Sequence, residues 1–501
     1  LVARAGLASD TIRLEVRDRG LEGTFSLVGR AEESDRYTSD LWLHGTVAYV
    51  GTWGGRPVGA AINRGNTLNV WDISDPTAAE KVFSMEIDAR TVNDVKIRAD
   101  GSLAIITHEG SSDGGNGITL LDLANPQAPA VISRFTEELQ SGVHNVWIDG
   151  DYAYLVVDGV GNGLRILDIS EPEMPNVVGR YWADSSFLHD VYVRDGLAFL
   201  SHWNAGLVIL DVGNGIVGGT PEAPIEVSRL ADLGGQTHNA WYWPEAGYVF
   251  VGEEDFGTPG IMHVVDLRNV REPLEVATYS VEGQTPHNFW LDEATGTLYL
   301  AWYAQGLRAL DVTGDLLGEL DRQGREIQGL RYSGGFDSCN RPSQDTCAWA
   351  PQLHNGLLWV SDMNRGLVAL QPPRRGRYGV AWRPVAFLPL ALAALGACAD
   401  TSPDTGPDTA SDRLLVTSGF TDQIFVLDAG TGQVLDSLAL DRRPGERDEP
   451  HGIAVSGDGR HFYATLAHGE PSLWKYETEG LRLVGRVTLP TYGASRVRLS
   501  P

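Results

Sequence analysis

Four histidines recur at nearly equal intervals: His144, His189, His238 and His287, spaced by 45, 49 and 49 residues. Each is followed by Asn or Asp and opens an apolar run: HNVWIDGDYAYLVV, HDVYVRDGLAFLSH, HNAWYWPEAGYVFV and HNFWLDEATGTLYL. Imidazoles converging on one axis would hold a single transition metal, Zn, Cu or Fe. The periodicity equally fits a repeat-encoded side chain that hydrogen-bonds its neighbour's Asn or Asp and lines a wet channel. It also fits recognition of another polar ligand. Imidazoles clustered without metal would depress one another's pKa.

Other motifs carry less chemistry. Gly110-Ser-Ser-Asp-Gly114 fits GxSxG by letter but lies in a polar loop, not a strand-to-helix elbow. Gly213-Asn-Gly-Ile-Val-Gly218 fits GxGxxG, yet no helical pattern follows it. Asp113-Gly-Gly-Asn-Gly117 reads as a calcium loop or, more simply, a glycine turn. No CxxC occurs, which leaves zinc ribbons and haem attachment unsupported. Cys339 and Cys347 sit close together in SGGFDSCNRPSQDTC, where a local disulfide would suit an oxidising compartment.

The histidines need elements to position them, and the chain supplies a repeat. Its unit is a strand, a tight turn, an Ala- and Tyr-rich strand, and a Gly-led strand ending in Asp before a Pro-containing turn. The closing Asp falls at 72, 122, 168, 211, 266 and 311. Steps of 43 to 55 residues, each with short alternating strands, match the blade period of a propeller. A seventh copy, NGLLWVSDMNRGLVALQ, ends at Gln371 without an outer strand. Thr24–Arg30 (TFSLVGR) is similar to the outer strand Asn176–Tyr181 (NVVGRY) and is expected to complete that copy, removing an exposed edge.

In such hairpins the innermost strand starts on the face where the second strand ends. That face is expected to gather the four histidines with Asp158, Asp190, His202, Trp203, Glu253, Glu254 and Trp302 around a funnel, a common type of ligand site.

The repeats GLRILDIS, GLVILDV and GITLLDL, with the AYLVVD-type strands before them, resemble the LVIVD-repeat family over roughly residues 24–371. The resemblance implies a bacterial, usually exported β-propeller and no particular activity. Residues 372–411 then read as a lipoprotein signal: arginines, an apolar run from Val385 to Ala394, and Leu395-Gly-Ala-Cys398 with Cys398 as the lipidated residue. A Ser/Thr/Pro/Asp tether follows. A signal at this position suggests two joined reading frames. Residues 412–501 resemble YVTN-family blades, on the turn 428–432 and on Pro450-His451-Gly452; two blades cannot close a ring.

The expected fold is therefore all-β. A seven-bladed propeller at 24–371 is closed by an N-terminal outer strand, after a segment 1–23 expected to be truncated. An incomplete second propeller of about two blades follows at 412–501. The chain carries 39 Lys+Arg against 66 Asp+Glu, a net charge of −27, which excludes a nucleic-acid backbone binder. Glycine is about 12 % of residues, above the usual ~7 % and in keeping with many tight turns. No run of 18 apolar residues is present. The reading of function is an extracytoplasmic, monomeric binding or scaffold module that presents the His/Trp/acid face to a protein, peptide or glycan, with membrane attachment only through Cys398. The alternative is an oxidoreductase or lyase using one metal on the four histidines.

Overall fold

The computed structural model describes residues 25–183, 186–231, 233–255, 260–330, Cys339, 346–373 and most of 413–488 with side chains, and the backbone of four short strands near residues 2–22 and 374–375. The chain divides into two compact units, Asp18–Arg377, and Leu1–Arg17 with Tyr378–Pro501.

The first unit is a succession of antiparallel four-stranded sheets, the propeller-type pattern. The third sheet is typical: Val143–Asp149, Tyr152–Val157, Leu164–Asp168 and Asn176–Tyr181, paired in sequence order. Inner strands such as Leu197–His202 are buried along their whole length, whereas outer strands such as Glu80–Glu86 alternate toward solvent. The reason is stacking: each sheet is covered on both faces by its neighbours, so its inner strands read as near-continuous apolar runs. One core, for example, joins Tyr154, Val156 and Ile166 of the third sheet to Val191, Leu200 and Leu210 of the fourth.

The closing Asp of each repeat is structural. Asp72, Asp122, Asp168, Asp266 and Asp311 each accept, through Oδ1, the backbone N–H two residues on, at 2.9 Å. This Asx turn lets the chain reverse after the third strand without orphaning an amide.

The two ends of the first unit meet in one sheet. Ser26–Glu32 pairs antiparallel with Gly366–Gln371 as the outer strand beyond Leu357–Asp362 and Ala348–His354. That sheet packs Trp359, Leu367 and Ala369 against Leu41, Leu43 and Val50 of the first sheet, Tyr37–His44 to Glu80–Glu86. The innermost strands touch in order, and Ala348–His354 touches Tyr37–His44. The fifth sheet adds Gly318–Glu319 in parallel beside Ala277–Thr278. A disulfide joins Cys339 to Cys347, with Cα atoms 5.2 Å apart.

The second unit has a three-stranded sheet, Arg413–Ser418 to Val434–Ala439, and a four-stranded sheet, Pro450–Val455 to Leu483–Thr488. They share a small core of Ile424, Leu440, Phe462, Leu466 and Trp474. Cys398 and the rest of the signal-like segment lie outside the described residues. Among the described residues no helix is long and apolar enough to cross a membrane.

Gly29 and Gly179 occupy matching outer-strand positions, and each meets the carbonyl of a proline in the following sheet. A Cβ on Gly29 would lie 2.0 Å from Pro76 O, and one on Gly179 would lie 2.0 Å from Pro221 O. Gly485, at the same place in the second unit's LVGRV strand, faces open space among the described residues. Gly29→Ala and Gly179→Ala are each expected to cost about 1–3 kcal/mol in urea unfolding, because backbone must move. Gly485→Ala is expected to leave the transition where it is. Equal effects of all three would show that the packing between sheets does not depend on this contact.

Candidate functional site

Three of the four histidines, His144, His189 and His238, are aimed by a repeated backbone irregularity. The pairing of first and second strands skips between Val143 and Val146, Leu188 and Asp190, Thr237 and Asn239, Ala348 and Ala350, and Thr38 and Leu41. Each skip is a β-bulge at the strand start, and a bulge re-aims side chains that regular alternation would send to opposite faces. The second unit repeats it at Pro450–Gly452, around His451. Beyond the bulge, alternation resumes.

Two consequences follow. First, the residues after the histidines, Asn145, Asp190, Asn239 and Asn288, line a cavity of about 60 Å³ with Asp40 and Asp94. Side-chain amides link successive strands: Asn93 Nδ2 donates to His144 O (3.0 Å), and Asn145 Nδ2 donates to His189 O and to Asp190 Oδ1 (both 3.1 Å). Two residues further on, the same strands present Trp42, Trp147, Tyr192, Trp241 and Trp290. Their rings contact one another in a closed circuit, with centroid separations of 4.6 to 6.1 Å. The aromatic plug corresponds in the sequence to the W or Y at the fourth place of HNVW, HDVY, HNAW and HNFW, a period-2 signal.

Lys96 also reaches this cavity. Its ammonium bonds Asp94 Oδ1, lies 3.1 Å from Asp40 Oδ2, and sits 5.2 Å from the Trp42 ring centre. Burial pushes the Asp94 carboxyl up to about 7 against the pull of Lys96. Burial, then the charge of Asp94, pushes Asp190 up to about 8. Asp190 thus belongs to the cavity and not, as expected, to the face that carries the histidines.

Second, the histidine rings form a contiguous arc. Centroids are 4.5 Å apart for His144–His189, 4.2 Å for His189–His238 and 4.3 Å for His238–His287, and Trp349 continues the arc 4.1 Å beyond His287. Trp203 stacks on His189 at 4.8 Å. His189 Nδ1 is 3.1 Å from His238 O, and His287 Nδ1 is 2.8 Å from Trp349 O. A ring nitrogen facing a carbonyl must carry the proton, which leaves Nε2 as the acceptor. Burial, then neighbouring imidazoles, pushes His189 and His238 well below the usual histidine range. His287 falls to about 3 for the same first reason.

Glu254 reaches into the arc. Its Oε2 is 3.8 Å from both His189 Nε2 and His238 Nε2, and its Oε1 accepts from the Tyr303 hydroxyl. Burial pushes Glu254 up to about 7. His144 differs from its three counterparts. Burial opposes its charge, but Glu109 Oε1 at 2.8 Å from Nδ1, helped by Asp158 at 4.0 Å, holds the imidazole up at about 9.

The remaining expected face residues separate. Glu253 turns into its sheet, 3.1 Å from His263 Nε2, whose Nδ1 lies 3.1 Å from Glu275. His202 is fully buried at the end of its strand. Trp302 is also fully buried, edge-on to Tyr279 in the core between the fifth and sixth sheets, and is no part of the face. Glu109 and Tyr303, at second-strand ends, and Trp349, at a first-strand start, reach this face as the hairpin rule places them, whereas Phe187, 5.8 Å from the His189 ring, was missing from the expected set because nothing in its local sequence marks which side of a turn it occupies.

The GxGxxG segment is an anion cradle for its own chain. Gly213 and Gly215 amides donate to Asp211 Oδ1 (both 3.1 Å), and Val217 and Gly218 amides to Oδ2 (2.8 and 3.1 Å). The Asp113 loop is closed by a Gly115 amide on Asp113 Oδ1 at 2.8 Å.

Residues 142–183 and 188–229 match the LVIVD repeat. These are the third and fourth sheets, and the match supports a β-propeller-type repeat family. No curated protein matches the chain. Among solved structures, the chain is similar to the C-terminal WD40 domain of Sif2, at 13% identity over 67% of this chain and 82% of that one, with a TM-score of 0.45. It is also similar to the computationally designed Ika8 protein, at 9% identity over 88% and 96% of the two chains, with a TM-score of 0.43.

Lys96→Met is expected to cost about 3–5 kcal/mol, since it leaves Asp40 and Asp94 buried without a counter-charge. Adding Asp40→Asn and Asp94→Asn should recover most of the loss; a Lys96→Met variant as stable as the parent in urea would refute the pairing. Asp211 offers a pH test. Although burial opposes its charge, the loop amides hold its carboxyl down at about 2. A depressed folded-state pKa stabilises above the unfolded value near ~4 and is lost as pH falls through about 2. Asp211→Asn is therefore expected to cost about 2 kcal/mol at pH 7, with the gap closing between pH 4 and 2.

Proposed function

We propose that the first unit is a seven-bladed propeller, closed by Ser26–Glu32, that acts as an extracytoplasmic binding module through the mouth at the histidine arc. The cycle of contacts among innermost strands supports the blade count. The observation that carries the functional reading is the asymmetry of the axis. One level is filled by five aromatic rings and the Lys96–Asp pair. The other is a largely buried cluster of imidazole, Trp203 and Trp349 rings with the acids Glu109, Asp158 and Glu254, where His144, Trp203 and Asp158 keep partial exposure. Aromatic faces beside hydrogen-bonding groups suit a sugar or a peptide side chain entering the mouth. Export is supported by the Cys339–Cys347 disulfide.

A metal-dependent enzyme at the same mouth is the second reading, favoured by the close approach of His189, His238 and Glu254 donor atoms, all within 4.8 Å.

The test is a screen of the full chain on a glycan array and a peptide library, beside Trp203→Ala and Asp158→Asn variants. Binding by the parent that drops at least about tenfold in Trp203→Ala supports the mouth. Hits bound equally by both variants, or protecting only outer strands from hydrogen exchange, overturn it.

A further inference from the structure

We infer that His189, His238 and Glu254 form a three-donor site for one divalent transition-metal ion, displaced to one side of the histidine arc. This deepens the reading of the mouth as the binding site and rests on it. The three residues come from three separate strand ends, yet both Nε2 atoms lie 3.8 Å from the same carboxylate oxygen. Donors bonded at ~2.0–2.2 Å around one tetrahedral ion lie ~3.3–3.6 Å apart, so modest contraction would close the site.

The supporting groups are those a metal site needs. His189 Nδ1 is held by His238 O at 3.1 Å, which leaves Nε2 unprotonated and aimed at Glu254. The second Glu254 oxygen is held by the Tyr303 hydroxyl. Such outer partners orient ligands and raise their basicity. Trp203 on one side of His189 and His287 against His238 restrict rotation of the two rings.

The decisive observation is His238. His238 is 1% exposed, and among the described residues neither ring nitrogen has a hydrogen bond of good geometry, its polar neighbours being the Asn239 side chain and, at 3.8 Å, Glu254. A buried imidazole without a well-made hydrogen bond is unfavourable. An ion on Nε2 would satisfy it.

The arrangement separates this site from a symmetric four-histidine ring. His144 Nδ1 is engaged by Glu109 at 2.8 Å, and His144 groups with Glu109 and Asp158 instead. His287 lies outside the group of three. Two imidazole nitrogens and one carboxylate, with positions left for water or a ligand, suit Zn(II), Fe(II) or Co(II) better than the hard cations Ca(II) and Mg(II).

The experiment uses the full chain, without an affinity tag, stripped by chelator and titrated with Co(II) as a spectroscopic probe and with Zn(II) by equilibrium dialysis and mass-spectrometric metal counting. The expected result is about one ion per chain with visible d–d bands from mixed nitrogen and oxygen donors. His238→Ala and Glu254→Gln should abolish stoichiometric binding, and Tyr303→Phe should weaken it roughly 10–100-fold. His144→Ala should keep the ion. Thermal unfolding and near-ultraviolet circular dichroism confirm that each variant is folded; Glu254→Gln, which keeps the side-chain shape, decides the matter should His238→Ala fail to fold. No bound ion, undiminished binding by Glu254→Gln, or loss of the ion in His144→Ala overturns the proposal. A chain that binds no metal but still binds a glycan or peptide at the mouth removes this inference while leaving the binding module intact.

Discussion

The hydrogen bonds between Ser26–Glu32 and Gly366–Gln371 are the constraint on which the first unit depends. Sheets whose inner strands are apolar on both faces cannot end: a terminal sheet would expose a face and an edge. Supplying one strand of the last sheet from the start of the first unit joins the unit's two ends by hydrogen bonds and lets Trp359, Leu367 and Ala369 pack on the first sheet. Leu21–Glu22 continues the clasp by pairing with Arg374–Arg375. Contacts such as the one between Gly29 and Pro76 are then possible at the closure as they are within the series.

Closure brings the innermost strands together along a narrow line, and space there is scarce. The structure fills it by level. Five aromatic rings occupy one level, and amides and carboxylates, neutralised by Lys96, occupy the next. The strand starts hold the imidazole arc. Charge placed in this interior is costly unless paired. The carboxyls of Asp94, Asp190 and Glu254 accordingly shift upward, and His189, His238 and His287 shift downward. The neutral imidazoles of His189, His238 and His287 beside Glu254 offer lone pairs, whereas His144, held up at about 9 by Glu109, keeps its charge.

Much of this was readable beforehand, and the misses have identifiable causes. The all-β class, the repeat, the closing Asp and the similarity of TFSLVGR to NVVGRY are local patterns, and local patterns survive in one dimension. Asp190 was assigned to the face that carries the histidines because the bulge at Leu188–Asp190 is invisible in HDVY: one extra residue reverses which neighbour points where. Trp302 was assigned to the mouth because it ends a second strand, but its turn directs the ring into the core with Tyr279. Glu253 and Glu254 looked equivalent, yet alternation sends one to His263 and the other to the arc.

By itself, then, the sequence determined which segments are strands, where they turn, and that His144, His189, His238 and His287 occupy one repeated position. Those properties follow from side-chain periodicity and turn chemistry within a few residues. The tertiary structure decided which histidine meets which partner. His144 faces Glu109 from the preceding sheet, whereas His189 and His238 share Glu254. His238 and Glu254 meet within one hairpin, but His144 and Glu109, 35 positions apart, and His189 and Glu254, 65 apart, meet only after the sheets have stacked. Identical positions in a repeat become chemically different because each borrows its surroundings from a neighbouring sheet whose loops are not identical.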